Sequence, residues 1–276
     1  MIVRADFDEY YVKDLNEYNN TIQTLVNEHS EIYFRGVNQA RFNLAPSISR
    51  NKVANFSVEK EETLFNAFRR RIALYKSETF REYTSTKAQI DIETLAIAQH
   101  HGLKTRLLDW STNPLSSLWF ACEEPKALKP DSYCIVWVLI APTDEKVRNL
   151  FFKTGEEITD SLFTLDETFI YVPNIVNPRI KNQSGLFSVH HYDTTLKKHV
   201  PLDENEKFFP HKFNAKPNFL PDRNWDLIKI LINRELYGKD ILKNLRRFDV
   251  HEETIYPSLE RAGSRLNFDF DSGLVL

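Results

Sequence analysis

Nine residues from Ser132 to Ile140 read SYCIVWVLI. The run is apolar on both alternating faces, rich in β-branched and aromatic residues, and followed by Pro142. Such a strand is buried on both sides, so it needs a sheet with cover on each face. The rest of the chain must supply that cover.

Helical spacing supplies it in several places. Asp14 to Glu28 carries Leu15, Tyr18, Ile22, Leu25 and Val26 as one apolar stripe. Val58 to Lys76 places Leu64, Phe65, Phe68 and Ile72 inward and Arg69, Arg70 and Arg71 outward. Asp91 to His101 reads as a helix ended by Gly102 as its C-cap. Gly238 to Arg247 and Thr254 to Leu266 read as two more helices. Strand candidates are Glu31–Val37 and Phe169–Val172, with another at Leu186, Phe187 and Val189. Leu227–Asn233 is a strand or a helix start. Strands and helices mix without regular βαβ alternation, so the expected class is α+β, a mixed sheet with helices packed around it. The expected organisation is an N-terminal helix, residues 1–30, packed on a unit of residues 31–276 that ends in helices.

Composition narrows the function classes. Aromatic residues make up 13% of the 276, which argues against disorder. A net charge of −3 gives no electrostatic drive towards nucleic acid in general, although a local basic surface leaves that partner open. Cys122 and Cys134 are the only cysteines and sit in apolar patterns, so a disulfide scaffold is excluded and a reducing cytoplasm is the expected home. The start, MIVRADFDEYYVKDL, has no apolar core of a signal peptide, and no run is long enough to span a membrane.

Polar residue types crowd between Ala98 and Glu124, AQHHGLKTRLLDWSTNPLSSLWFACEE. Gln99, His100 and His101 precede Gly102. Thr105 and Arg106 lead into Leu107–Leu108, a pair suited to a sheet. Asp109, Trp110, Ser111, Thr112 and Asn113 then read as one turn before a helix opened by Pro114 and capped by Thr112 or Asn113. Leu115, Leu118, Trp119 and Cys122 give that helix a core face. Strand-to-helix junctions are where many folds place chemistry, and a helix N-terminus offers free N–H groups to an anion. Upstream, Arg35 stands on a strand beside Gly36, where a planar guanidinium suits phosphate and a glycine permits close approach. A second polar concentration, NPRIKNQSGLFSVHH, brings Arg179 and Gln183. The expectation is one pocket lined by Arg35, Gln99, His101, Arg106, Asp109, Thr112, Arg179 and Gln183, with excess positive charge for a phosphate-bearing ligand. The competing reading makes Arg106–Asp109 a buried structural pair and the rest caps. No metal site is expected, because the adjacent His100 and His101 point to different faces and no spaced His pair occurs.

YFRG at Tyr33–Gly36, LAPSISR at Leu44–Arg50, AQHHGLKTRLLDWSTNPLSSLWFA at Ala98–Ala121, NPRIKNQSGLF at Asn177–Phe187 and IYPSLE at Ile255–Glu260 follow in one order. The chain resembles the FRG-domain family of bacteria and phages over about Ile32 to Glu260. The resemblance implies an effector of the toxin or phage-defence kind, with a protein target or a partner antitoxin. A more distant similarity links it to ADP-ribosyltransferases, which carry an early strand Arg in a YRG-like context, a Ser/Thr turn before a helix, and a later catalytic Glu. That similarity implies an ADP-ribosyltransferase-like sheet and NAD as cofactor. Arg35, His101, Asp109, Thr112 and Gln183 become the catalytic candidates. Tyr33, Gly36, Gln99, Arg106, Trp110, Ser111 and Arg179 become the binding candidates. Gln183 stands where the family has its Glu, and no Glu-x-Glu stands there. Two other readings are a non-catalytic nucleotide or phosphate sensor and a nucleic-acid-processing effector.

Overall fold

The computed structural model describes residues 7–29, 31–50, 57–72, 87–123, 131–154, 157–158, 161–173, 185–213 and 224–255. Its strands are β1 (Glu9–Val12), β2 (Ile32–Val37), β3 (Leu107–Ser111), β4 (Tyr133–Ile140), β5 (Phe152–Lys153), β6 (Phe169–Tyr171), β7 (Gly185–Val189), β8 (Tyr192–Asp193), β9 (Lys198–His199) and β10 (Asp226–Asn233). Eight of them form one sheet in the order β1-β10-β4-β2-β3-β7-β6-β5, and β8 pairs with β9 apart from it. The helices are α1 (Leu15–Glu28), α2 (Val58–Ile72), α3 (Lys87–His100), α4 (Pro114–Cys122), α5 (Glu145–Phe151), α6 (Pro210–Phe213), α7 (Lys239–Arg246) and α8 (Glu252–Ile255). The architecture is α+β, a mixed sheet with helices packed around it. No described helix is long and apolar enough to cross a membrane.

The apolar run that opens the argument is β4, and its place explains its composition. It pairs antiparallel with β10 from Tyr133–Asn233 to Ile140–Asp226, and with β2 from Ile135–Val37 to Ile140–Ile32. Flanked on both edges and covered on both faces, it has only Tyr133 exposed. Alternate residues then feed different cores. Cys134, Val136, Val138 and Ile140 pack with Phe34, with Leu118 and Trp119 of α4, and with the α1 stripe. Ile135, Trp137 and Leu139 pack on the other face with Tyr33, Leu108, Trp110, Phe208 and Phe209. A third body gathers Phe65 of α2, Ile92 and Leu95 of α3, Leu107, Phe187 and Val189. Leu107 alternates with Leu108 and Trp110 along β3, so this third body lies on the α4 side of the sheet. That side thus carries two separate apolar bodies, one under α4 and one under α2 and α3.

Local chemistry fixes the helix ends. The Asp14 carboxylate accepts from the Asn16 and Glu17 amides, both at 2.8 Å, and starts α1. Asn113, rather than Thr112, caps α4, accepting from Leu115 N at 2.9 Å and Ser116 N at 3.1 Å, with Pro114 in the first turn. Gly102 ends α3 with φ +84°, the left-handed value that spares a Cβ penalty.

Three details differ from the sequence expectations, and one open alternative is resolved. Asp109, Trp110 and Ser111 do not form a turn, because they continue β3 and pair with Phe187, Leu186 and Gly185. Leu64 is 38% exposed, and Glu61 is turned inward on α2 instead. β1, unanticipated, runs parallel to β10 at the sheet edge. Leu227–Asn233 is strand throughout. The expected helix at Thr254–Leu266 lies mostly outside the described residues.

Candidate functional site

β2 sets the site because its neighbours face opposite ways. Phe34 and Gly36 face α4. A Cβ on Gly36 would collide with the Ser117 carbonyl and lie 2.7 Å from Ala121 N, so α4 rests on this glycine backbone to backbone. Arg35 points away from α4 and reaches towards β3. β2 and β3 register at Phe34 with Ser111 alone. Where the ladder would continue, the Arg35 Nη1 donates to the Asp109 carbonyl at 2.7 Å and lies 3.6 Å from its Oδ2. A side chain thus holds together a pair of strands that the backbone leaves apart.

Asp109 is held from the other side by α3. Gln99 Nε2 donates to Asp109 Oδ1 at 2.7 Å, and Gln99 Oε1 accepts from the buried Thr105 hydroxyl. Thr105 N donates to Ser47 Oγ at 3.0 Å, and Ile48 N donates to the Thr105 carbonyl at 3.1 Å. Arg50, in the same short turn, donates twice to the Ala45 carbonyl, at 3.1 and 2.8 Å. Three separate motifs, YFRG, PSISR and the central stretch, are therefore stitched at one point through Arg35, Asp109, Gln99, Thr105 and Ser47.

Two cavities meet there. The larger, about 260 Å³, lies between α3 and α4, in the gap between the two apolar bodies. Phe34, Trp110, Phe120 and Phe187 give it aromatic walls, and Gln99, His100, Asp109, Ser111, Ser116 and Ser117 give it polar ones. The second, about 240 Å³, is lined by Arg35, Ser47, Arg50 and Lys104. Arg35, Gln99 and Asp109 line both. Burial draws the Arg35 guanidinium down to about 10; Asp109 opposes this, and the Arg50 charge adds to it. It stays cationic at neutral pH. Its Nε is buried with no hydrogen-bond acceptor among the described residues. Burial lowers Arg50 too, against the pull of Asp109. Two guanidiniums and a fixed amide thus stand together at the point where the cavities meet.

The anticipated residues distribute as follows. Arg35, Gln99 and Asp109 meet. Gly36, Trp110 and Ser111 line the larger cavity, although the Trp110 indole is buried and donates to Ser188 Oγ at 3.1 Å. His101 is exposed and lines neither cavity; His100 does, with the two rings edge to face at 5.0 Å. Thr112 is exposed beside the cap and lines neither. Tyr33 faces the opposite core, where it bonds Glu31. Arg106 is fully buried away from the site. It clasps Glu61 at 2.8 and 2.6 Å, donates to the Leu162 carbonyl and sits over the Phe163 ring at 5.1 Å. No Arg106–Asp109 pair forms, because Asp109 faces Arg35 and Gln99. Arg179 and Gln183 lie outside the described residues. Among the described residues, no group of three His, Cys, Asp or Glu side chains is placed to hold a metal ion.

Sequence reasoning offered His100 as an alternative acid or base to His101 but left it out of the pocket, and it missed Ser47, Lys104, Thr105 and Arg50 as site residues. The signal for two of them was the PSISR motif, which had been noted without a role.

No curated protein and no solved structure matches the chain. A family model described as the FRG domain matches residues 30–129, a span that holds the YFRG, PSISR and central motifs and ends before Asn177–Phe187. Every side chain of the Arg35–Asp109–Gln99–Thr105–Ser47 network comes from within that span, and the chain accordingly carries an FRG domain at residues 30–129.

Proposed function

We propose that this cleft binds a nucleotide, that the nucleotide is NAD, and that the protein is an ADP-ribosyltransferase-like effector of the toxin or phage-defence kind. One observation carries the reading: the Arg35 guanidinium, desolvated and braced by Asp109, stands where an aromatic-walled cavity meets a cationic one. The residues fit such a ligand. Arg35 has a buried Nε without an acceptor, and rings of Phe34, Phe120 and Phe187 offer an apolar wall to a base or nicotinamide. NAD supplies the ADP-ribosyl group and a leaving nicotinamide. The chain's own residues do the rest. Arg35 holds phosphate oxygens, Gln99 fixes the Asp109 carboxylate, and Asp109 stabilises positive charge that develops nearby. His100, at the α3 end of the larger cavity, takes up or gives a proton.

A second reading has its own observation. Among the described residues, Asp109 is the one carboxylate lining either cavity, and it is already engaged by Arg35 and Gln99. That favours a sensor that binds the nucleotide without turning it over.

Titration calorimetry with NAD on the wild type and on Arg35→Ala tests binding. The expected loss in the variant is about tenfold or more, as for a charge-assisted hydrogen-bonded anion. Chromatography of the same mixtures separates the readings, since nicotinamide release marks the transferase and intact NAD the sensor. Asp109 is 55% exposed, so Asp109→Ala should stay folded within about 1 kcal/mol of the wild type while losing function. A wild type that does not bind NAD refutes the proposal.

A further inference from the structure

β1 ends the sheet, and no described strand lies beyond it. It runs parallel to β10, and Lys229 N donates to the Asp8 carbonyl at 2.9 Å. Backbone groups alternate between the two edges of a strand, so those of Asp8, Tyr10 and Val12 turn to β10 and those of Glu9 and Tyr11 turn outward. Side chains alternate between faces as well. Val12 joins the core under α1 and α4, which puts Tyr10 on that face and Glu9, Tyr11 and Lys13 on the other. Tyr10 is 42% exposed and Tyr11 63%, and Tyr11 meets Tyr133 edge to face at 6.2 Å. Sheet edges are commonly blunted by a proline or a bulge. β1 has neither, since EYYV keeps an unbroken register with β10.

We propose that β1 pairs antiparallel with β1 of a second copy of this chain, continuing the sheet across a two-fold axis at Tyr11. Outward backbone groups must meet outward groups, so the axis passes through a residue and not between two. An axis at Glu9 sets two carboxylates against each other, and one at Tyr10 sets Glu9 against Tyr11. An axis at Tyr11 sets Glu9 against the second copy's Lys13, twice, and Tyr10 against its Val12. Charge and apolar surface both match in that register, and the strand is complementary to itself. Glu9 already has Lys229 at 2.8 Å, so the contact with Lys13 selects the register while the backbone edge and the tyrosines carry the association. Asp8 and Asp14 come opposite each other at the ends of the register. Both are already engaged, Asp8 by Lys212 at 2.9 Å and Asp14 by the first amides of α1 at 2.8 Å. β10 and β4 separate β1 from β2, so this interface stands apart from the nucleotide cleft.

The test is sedimentation of the full chain over a range of concentrations, on the wild type, Tyr11→Lys and Lys13→Glu. Tyr11 and Lys13 are exposed, so both variants keep the fold, and circular dichroism checks that they do. The wild type should dimerise. Tyr11→Lys places two like charges on the axis and should be monomeric at the same concentrations. Lys13→Glu turns two attractions into repulsions and should weaken the dimer about tenfold. Mild oxidation reads the register. Tyr11→Cys should cross-link the two copies, because the axis brings the Cα atoms of this position about 5.5 Å apart, within disulfide reach, and Glu9→Cys should not. A wild type that stays monomeric at every concentration overturns the proposal. A dimer that Tyr11→Lys leaves intact overturns it too, since the contact then lies elsewhere. Cross-linking through Glu9→Cys and not through Tyr11→Cys overturns the register.

Discussion

Arg35 and Gly36 are neighbours on one strand and answer to different demands. Arg35 serves the cavities, whereas Gly36 serves α4, whose backbone leaves no space for a methyl group. Gly36→Ala should therefore destabilise by about 3 kcal/mol, near the upper end for overpacking, because backbone rather than a flexible side chain stands in the way. The midpoint of urea unfolding measures it, and an unshifted midpoint would show that α4 can move off β2 at little cost. The sequence shows that something must come close to this glycine. It does not show whether a ligand or a helix does, since both ask for the same missing Cβ. Arg35 and Arg106 pose the same difficulty. Each stands at or beside a strand, yet one faces the cavities and the other is enclosed. The deciding partner of Arg106 is Glu61, 45 positions away, and no local pattern announces it.

At the scale of elements, that partnership joins α2 to the start of β3. Glu61 also lies 3.2 Å from His199 Nε2, so one buried carboxylate serves three segments. Glu61→Ala leaves a buried guanidinium without its counter-charge and should cost about 3–5 kcal/mol. Chemical denaturation of the variant checks this, and a loss below about 1 kcal/mol would mean that water reaches Arg106. Long elements with a clear period were legible. α1, α4 and β4 stand where their patterns put them, and Trp119 packs with Leu118 and Leu115 as its spacing implied. β1, β5, β8 and β9 run two to four residues and carry too little pattern to read. On α2, Phe65 is buried as its spacing implied, whereas Glu61 turns inward and Leu64 outward, because the partner of Glu61 lies on another segment at Arg106. The three-motif meeting point was half legible. Its central stretch and Arg35 showed as dense polar types, whereas Ser47 and Arg50 look like ordinary loop residues until the Thr105 carbonyl and backbone N–H are seen to anchor their turn.

At the scale of the molecule, buried titratable groups shape the response to pH. Burial holds His190 down to about 3, against a hydrogen bond to the Val200 carbonyl, while the charges of His199, His191 and Arg35 add to the lowering. The unfolded chain takes a proton on this residue below about 6.5, and the folded one waits until about 3. Its contribution to stability is therefore whole above about 6.5 and is lost as pH falls through that window. Asp203 works in reverse. Burial raises its carboxyl to about 6, so the folded state gains relative stability as pH falls from about 6 towards the ordinary 3.8. Asp203→Asn removes that compensation. Unfolding free energies measured from pH 7 to pH 4 should fall more steeply in this variant than in the wild type, and parallel curves would place Asp203 in water. The gap between the two apolar bodies has a consequence of its own. A chain with Ala96, Ser116, Ser117 and Gly185 around an opening has declined to close ranks where bulkier residues would have merged the two halves. The nucleotide proposed for this cavity would bind the folded state and not the unfolded chain, so the melting temperature should rise with its concentration.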